Sequence, residues 1–200
     1  MHNGRRLSNF RFLFVIWAVL LLSGCGINNI PTYKQQVNAA WSQVQNEYQR
    51  RSDLIPNLVA TVKGYATHEE KVLTEVTDAR ARVTQTPIPA NILTNPVAFK
   101  AFEKNQATLS GALSRLMVVT ENYPNLKANQ NFLALQSQIE GTENRIAVAR
   151  RDYILAVQRY NTELVTIPGS WWRRFMYPDA QVMQNFTISE QAMQAPKVSF

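Results

Sequence analysis

Apolar residues fall at every third or fourth position along most of this chain, and that spacing admits one kind of architecture. Val37, Trp41, Val44 and Tyr48 open the series; Ile55, Leu58, Val59, Val62, Tyr65 and Ala66 continue it, then Val72, Leu73, Val76 and Val83. Steps of three and four line a single face of a helix, while long polar side chains fill the opposite face. A second series runs through Phe99, Phe102, Leu109, Leu113 and Leu116, with Val119 beyond, and a third through Phe132, Leu135, Ile139, Ile146, Ala149, Tyr153, Val157, Tyr160 and Leu164. No stretch of useful length alternates with the period of a strand. The fold class is therefore all-α.

Breaks in the pattern divide the helices. Pro56 removes a backbone donor and crowds the preceding turn, which predicts a kink or short break over residues 54–57 and two rods of nearly common direction, with Gly64 adding a bend. Residues 85–96 hold Pro87, Pro89, Pro96, Asn91 and Asn95 and read as a loop. Asn95 before Pro96 also suits a helix start, a cap followed by a first-turn proline. The next helix is expected over 96–122, stopped by Tyr123 and Pro124. The last runs about forty residues from 125 to the stop at Pro168 and Gly169, interrupted only by Gly141. The expectation is an elongated antiparallel bundle of three to four long helices over residues 33–168, with shallow, coiled-coil-like crossings.

The amino-terminal end carries a different signal. Arg5, Arg6 and Arg11 precede an uncharged, almost wholly apolar run of eleven residues, 12–22, followed by Ser23, Gly24 and the chain's single cysteine, Cys25. This is the pattern of a secretory signal with a lipoprotein cleavage site. A spanning helix needs roughly 20 apolar residues, so a signal cleaved before Cys25, with lipid on its thiol, is preferred over an uncleaved membrane helix. Residues 1–24 are thus read as signal peptide and 25–32 as a lipidated tether. Arg5 and Arg6 also admit the twin-arginine route. Cleavage removes three arginines and no acids, so the net charge of +7 falls to +4. Export makes nucleic acid a poor partner, and the remaining excess suits anionic lipid headgroups. With Cys25 acylated, no thiol is left for a disulfide framework or a thiolate metal site.

Residues 169–200 form the fourth segment. Trp171, Trp172, Phe175, Met176 and Tyr177 surround Arg173 and Arg174, a composition that suits either a membrane surface or a hydrophobic cap folded on the bundle end.

Catalytic constellations are sparse. After cleavage one histidine remains, His68, and although Glu69 follows it, the second histidine of the zinc-protease motif is replaced by Val72. No Gly-x-Ser-x-Gly elbow and no Gly-rich phosphate loop occur. Glu69 with Glu70 and Glu140 with Glu143 are carboxylate pairs that could run glycan hydrolysis if they converged, yet such acids on long helices commonly form a wet face or pair with arginines. No metal site and no cofactor are expected. One cluster stands out: Arg50, Arg51 and Asp53 lie just before Pro56 and Asn57 just after. The preferred reading is local repair, with Asp53 or Asn57 capping the restarted helix and the arginines paired to acids on a neighbouring rod. The alternative is a binding notch that senses an anion through Arg50 and Arg51.

Residues 48–67, YQRRSDLIPNLVATVKGYAT, followed by His68 and Glu69, resemble the signature block of the LemA family. Later blocks resemble the family in the same order: ENYPNL at 121–126, KANQNF at 127–132, TENRIAVARR at 142–151 with Tyr153, Tyr160 with Asn161, and the closing PKVSF at 196–200. The resemblance implies a bacterial, membrane-anchored, long antiparallel bundle without an established catalytic activity. Two departures stand out. Family members commonly begin with a full transmembrane helix where this chain has Cys25 in a lipobox, and Ile154 follows Tyr153 where the family pattern has asparagine.

Together these readings predict a non-enzymatic lipoprotein of the cell envelope that scaffolds or regulates partners of unknown identity. Arg50, Arg51, Asp53, Asn57, Tyr65, Glu69, Trp171 and Trp172 are its candidate interaction residues. Gly26 after Cys25 lacks the aspartate that favours inner-membrane retention, so an outer membrane is favoured in a Gram-negative host. The competing prediction is an unusual envelope enzyme acting on glycan through its paired carboxylates.

Overall fold

The computed structural model describes residues 26–187, and among them every regular element is helical. Five α-helical segments of the bundle come first: α1 Asn29–Lys63, α2 Glu70–Gln85, α3 Pro96–Thr120, the single turn α4 Pro124–Lys127, and α5 Gln130–Val165. A short α6, Gly169–Phe175, follows, and a 3-10 turn, Ile92–Thr94, lies in the loop before α3. The all-α bundle expected from periodicity is what forms. Residues 1–24, expected to be a signal peptide, Cys25 and the PKVSF ending lie outside the described residues.

Residue pairs fix the directions. Trp41 packs on Tyr153, Arg51 bonds Glu143, and Asn29 bonds Glu163, so α1 and α5 run antiparallel along their whole lengths. Trp41 with Phe99 and Arg51 with Ser110 place α3 parallel to α1. α2 folds back between them, its Arg80 reaching Ser52 of α1 and its Glu75 reaching Arg115 of α3. The result is an up-down-up-down bundle. α5 has 36 residues and is about 54 Å long at ~1.5 Å per residue.

α1 passes through Pro56 without a break, which corrects the expected interruption over 54–57 and the two rods of common direction. Proline leaves the carbonyl four residues earlier without its helical donor. That carbonyl belongs to Ser52, which is 1% exposed, and the Nε of Arg80 donates to it at 2.9 Å. A guanidinium from α2 thus replaces the missing amide, and the helix continues. Asp53 and Asn57 cap nothing: both are exposed, Asp53 accepts from Gln49 one turn earlier, and the Asn57 carbonyl accepts from Thr61. The chain reverses instead at residues 64–69, where Ala66 is buried and Tyr65, Thr67 and His68 face out.

Other boundaries follow local chemistry. Asn95 caps α3, its side chain accepting from the amides of Val97 and Ala98 at 3.1 Å each, with Pro96 in the first turn. Asn129 caps α5 through the Phe132 amide at 3.0 Å, so the long helix starts at Gln130 and not near residue 125. The helix at the amino end starts at Asn29, inside the stretch expected to be tether, because Ile30 is already buried in the core.

The core has two parts. The near part, at the amino-terminal end of α1, gathers Val37, Trp41, Tyr48, Phe99, Tyr153, Val157 and Tyr160. Trp41 lies at its centre, its ring 5.1 Å from Phe102 and 5.5 Å from Tyr153 between centroids. The far part gathers Ile55, Leu58, Val62, Leu73, Val76, Leu109, Leu116 and Phe132. Each fully buried large side chain contributes about 1.5–3 kcal/mol. α2 covers only the far part. In the near part its place is taken by Ile92 and Leu93 of the 3-10 turn and by Met183 and Phe186 of the carboxyl-terminal segment. That segment is pinned along its backbone. Asn161 exchanges two hydrogen bonds with Met183, at 2.9 Å each, the Gln184 amide donates to the Leu93 carbonyl at 2.7 Å, and the Tyr153 hydroxyl donates to the Gln184 carbonyl at 2.7 Å. Through residue 187 the tail is therefore part of the bundle, with Met183 and Phe186 on the flank that α2 leaves open and the half-buried Trp172 and Tyr177 packed against the same near core.

Candidate functional site

Three places carry polar groups that the helical pattern does not explain: the middle of the bundle, its far end and its near end.

In the middle, Arg51 is 1% exposed and joins three helices. Its Nη1 donates to Ser110 Oγ on α3 and to Glu143 Oε1 on α5, both at 2.7 Å. Its Nη2 donates to Gln106 Oε1 at 2.6 Å and, at 3.4 Å, to the Gln106 carbonyl. The guanidinium carbon lies 5.1 Å from the centroid of the Tyr48 ring, a cation–π distance. One turn earlier Glu47 is buried, accepts from Gln43, and stands 3.5 Å from Arg145 of α5. The α1–α5 seam thus carries two ion pairs of opposite sense, Glu47 with Arg145 and Arg51 with Glu143. Both match only when the helices hold one register. Burial raises the Tyr48 phenol above its usual pKa, against a smaller lowering by Arg150 and Arg51.

This geometry answers the cluster singled out in the sequence. Arg51 pairs with an acid on a neighbouring helix, as the repair reading expects. Arg50 faces solvent, so the two guanidinium groups diverge and do not form a joint anion site. The reason is helical geometry, which sets adjacent residues about 100° apart. The carboxylate pairs do not converge either. Glu143 is bound to Arg51, the exposed Glu140 accepts from Gln136, Glu69 accepts from Tyr123, and Glu70 is exposed at the start of α2. Among the described residues no group of three or more His, Cys, Asp or Glu gathers to hold a metal.

Beside Gln106 lies a cavity of about 240 Å³ between the loop after α2 and the face of α3, lined by Val83, Ile88, Pro89, Ile92, Phe102 and Gln106. The sequence marked residues 85–96 only as a loop. The signal that could have found the cavity is Ile88 between two prolines, which cannot enter a helix to bury itself.

At the far end the two connections touch. Tyr123 donates its hydroxyl to Glu69 at 2.9 Å, and Asn129 donates to the Tyr65 hydroxyl at 2.8 Å. The hydrogen bond to Glu69 raises the Tyr123 phenol pKa. Tyr65 and Glu69, both flagged in the sequence, meet here with Tyr123 and Asn129, which were not. His68 is exposed beside them.

At the near end Trp171 and Trp172 part company. Trp172 packs against the near core, whereas Trp171 is exposed. Gly169 is buried so tightly that a Cβ there would stand 2.0 Å from the Glu163 carbonyl, which seats α6 hard against the end of α5.

Comparison with known proteins gives the chain a family. Residues 40–200 match the model of the LemA family. Magnetosome protein MamQ 2 of Paramagnetospirillum magneticum is 26% identical over 160 residues, 72% of this chain and 59% of the relative. Protein LemA of Metamycoplasma hominis is 23% identical over 165 residues, 78% of this chain and 70% of the relative. Magnetosome protein MamQ of Magnetospirillum gryphiswaldense is 24% identical over 160 residues, again 72% and 59%. The chain spans about three fifths of the length of the magnetosome relatives it matches. The family match covers α1 from Ala40 onward, the whole of α2, α3 and α5, and the buried Arg51 layer, and the chain belongs to the LemA family.

Proposed function

We propose that this LemA-family chain is a lipid-anchored protein of the bacterial cell envelope, tethered through Cys25, that scaffolds or regulates partners and catalyses no reaction. The observation that carries the proposal is the use to which the buried polar groups are put. Arg51 bonds Gln106, Ser110 and Glu143 across three helices, Glu47 stands in an ion pair with Arg145, and Tyr123 and Glu69 tie the two far connections together. These contacts set the shape of a rod. Among the described residues, neither Glu69 with Glu70 nor Glu140 with Glu143 faces a common substrate position.

The anchoring half of the proposal rests on the apolar run 12–22 and the lipobox ending at Cys25, with outer-membrane placement favoured in a Gram-negative host. Relatives named for a cellular structure, the magnetosome, and not for a reaction support an assembly role. The far end, about 50 Å of helix away at ~1.5 Å per residue, presents Tyr65, His68 and Tyr123 to partners.

Cell fractionation of Cys25→Ser tests the tether, and in-cell photocrosslinking from Tyr65, with mass spectrometry of the adducts, tests the docking end. The expected result is release of the variant from membranes with loss of the envelope phenotype, and a discrete protein adduct from the wild type. Release with every phenotype intact, or glycan cleavage by the purified protein that Glu140→Gln abolishes, would overturn the proposal.

A further inference from the structure

The near end of the rod carries a face that the fold leaves uncovered. α6 sorts its residues by side: Trp172 turns to the near core, while Trp171, Arg174 and Phe175 share the opposite face at helical spacings of three and four. Trp171 is 57% exposed, Phe175 75% and the following Met176 55%. Val165 and Ile167, at the junction of α5 and α6, are exposed as well. Buried Trp41, Phe99, Tyr153 and Phe186 show that this bundle has a core for aromatic rings, so the exposure of these side chains is selective.

Two observations say what covers them. The first is position. A Cβ added at Gly26 would lie 3.6 Å from Pro168 Cγ, and Asn29 donates to Glu163 at 3.1 Å. The chain therefore enters the bundle beside the start of α6, within a few residues of Cys25 and the apolar run before it. The second is charge. Arg174 takes part in none of the ion pairs among the described residues, Arg173 engages the Ala180 carbonyl through Nε only, and Glu163 is turned to Asn29. Exposed tryptophan and phenylalanine beside arginine match the headgroup layer of a bilayer, where rings sit at the interface and cations meet anionic lipid.

We infer that Trp171, Arg174, Phe175 and Met176 form a second membrane contact, an interfacial foot that rests on anionic phospholipid. Together with the tether it fixes how the rod stands. The inference builds on the membrane anchoring proposed above, and flotation with brominated lipid separates the two. The mature protein, lipidated on Cys25, is reconstituted into vesicles of phosphatidylglycerol and phosphatidylcholine, with or without phosphatidylcholine brominated near the headgroup. Co-flotation with the vesicles reads the tether, and the emission of Trp171, isolated by difference against Trp171→Phe, reads the foot. Flotation and quenching of Trp171 by the brominated lipid are both expected. Arg174→Gln is expected to shift the docked-to-undocked ratio at Trp171 roughly fivefold, the equivalent of about 1 kcal/mol per basic residue, and to leave flotation unchanged.

Flotation without quenching of Trp171 would overturn the foot and leave the anchoring intact. Absence of flotation would overturn the anchoring itself, and the foot with it. Protection of Trp171 that depends on protein concentration, and not on lipid, would assign the face to a second copy of the chain and refute the inference.

Discussion

Replacing Arg80 by methionine tests how α1 survives its internal proline. The Ser52 carbonyl, deprived of a donor by Pro56, accepts from Arg80 Nε at 2.9 Å, and Ser52 is 1% exposed, so water has little access to take over. A hydrogen bond from a charged donor is worth about 1.5–3 kcal/mol, and leaving a buried acceptor unsatisfied costs a similar amount. Arg80→Met keeps most of the aliphatic stem and is expected to cost about 2 kcal/mol. In a Pro56→Ala background the alanine amide bonds Ser52 itself, and Arg80→Met should cost about 0.5 kcal/mol or less, since the surface part of the change is small. The predicted coupling between positions 56 and 80 is therefore about 1.5 kcal/mol. Urea unfolding of the four proteins, followed by far-ultraviolet circular dichroism, measures it. If the two substitutions are additive within about 0.3 kcal/mol, Arg80 is not what keeps the helix whole.

Three further outcomes are expected. Glu143→Gln removes the carboxylate charge beside Arg51, whose bonds to Ser110 and Gln106 remain, and because the Glu143 side chain is 42% exposed it should destabilise by about 1.5 kcal/mol, whereas Glu140→Gln, one turn away and exposed, should stay within about 0.5 kcal/mol; the same urea titration compares them. Burial raises the phenols of Tyr153, Tyr48 and Tyr160, so their contribution is fully present below the unfolded value of about 10 and is lost as pH climbs above it. The thermal midpoint should fall on that alkaline side, and less steeply in Tyr153→Phe. Asn161→Ala removes both bonds to Met183 and should release residues 180–187, read as faster hydrogen exchange there with the α1–α5 seam still protected.

The sequence made the helices legible because burial at period 3.6 is a local property. Val37, Trp41, Val44 and Tyr48, and Ile146 through Leu164, are buried as their spacing demands. Pro56 misled because the cost of a proline depends on whether some other group reaches the stranded carbonyl, and that group sits 28 residues away on another helix. The real reversal at 64–69 was masked because Ala66 and Leu73 stay in phase across the turn. Arg51 was conspicuous beside the proline, and pairing with an acid on a neighbouring helix was expected. That the acid is Glu143, 92 positions on, is set by the bundle register, which a linear pattern does not encode. The split between Trp171 and Trp172 likewise follows from α6 docking through Gly169, a contact no spacing rule reports.

The charged layer at Arg51 has a mechanical meaning. Apolar packing carries strain well because it is dense and continuous, and here it stops between Tyr48 and Ile55, so the two cores are joined by the backbones of α1, α3 and α5 and by a handful of directional bonds. Such a rod behaves as two cooperative blocks with a coupling between them. The far block, closed by the 64–69 and 121–129 connections, can breathe while the near block, laced to the tail through Asn161 and Tyr153, stays packed. The strength of the Arg51 bonds then sets how much of an event at one tip is felt at the other.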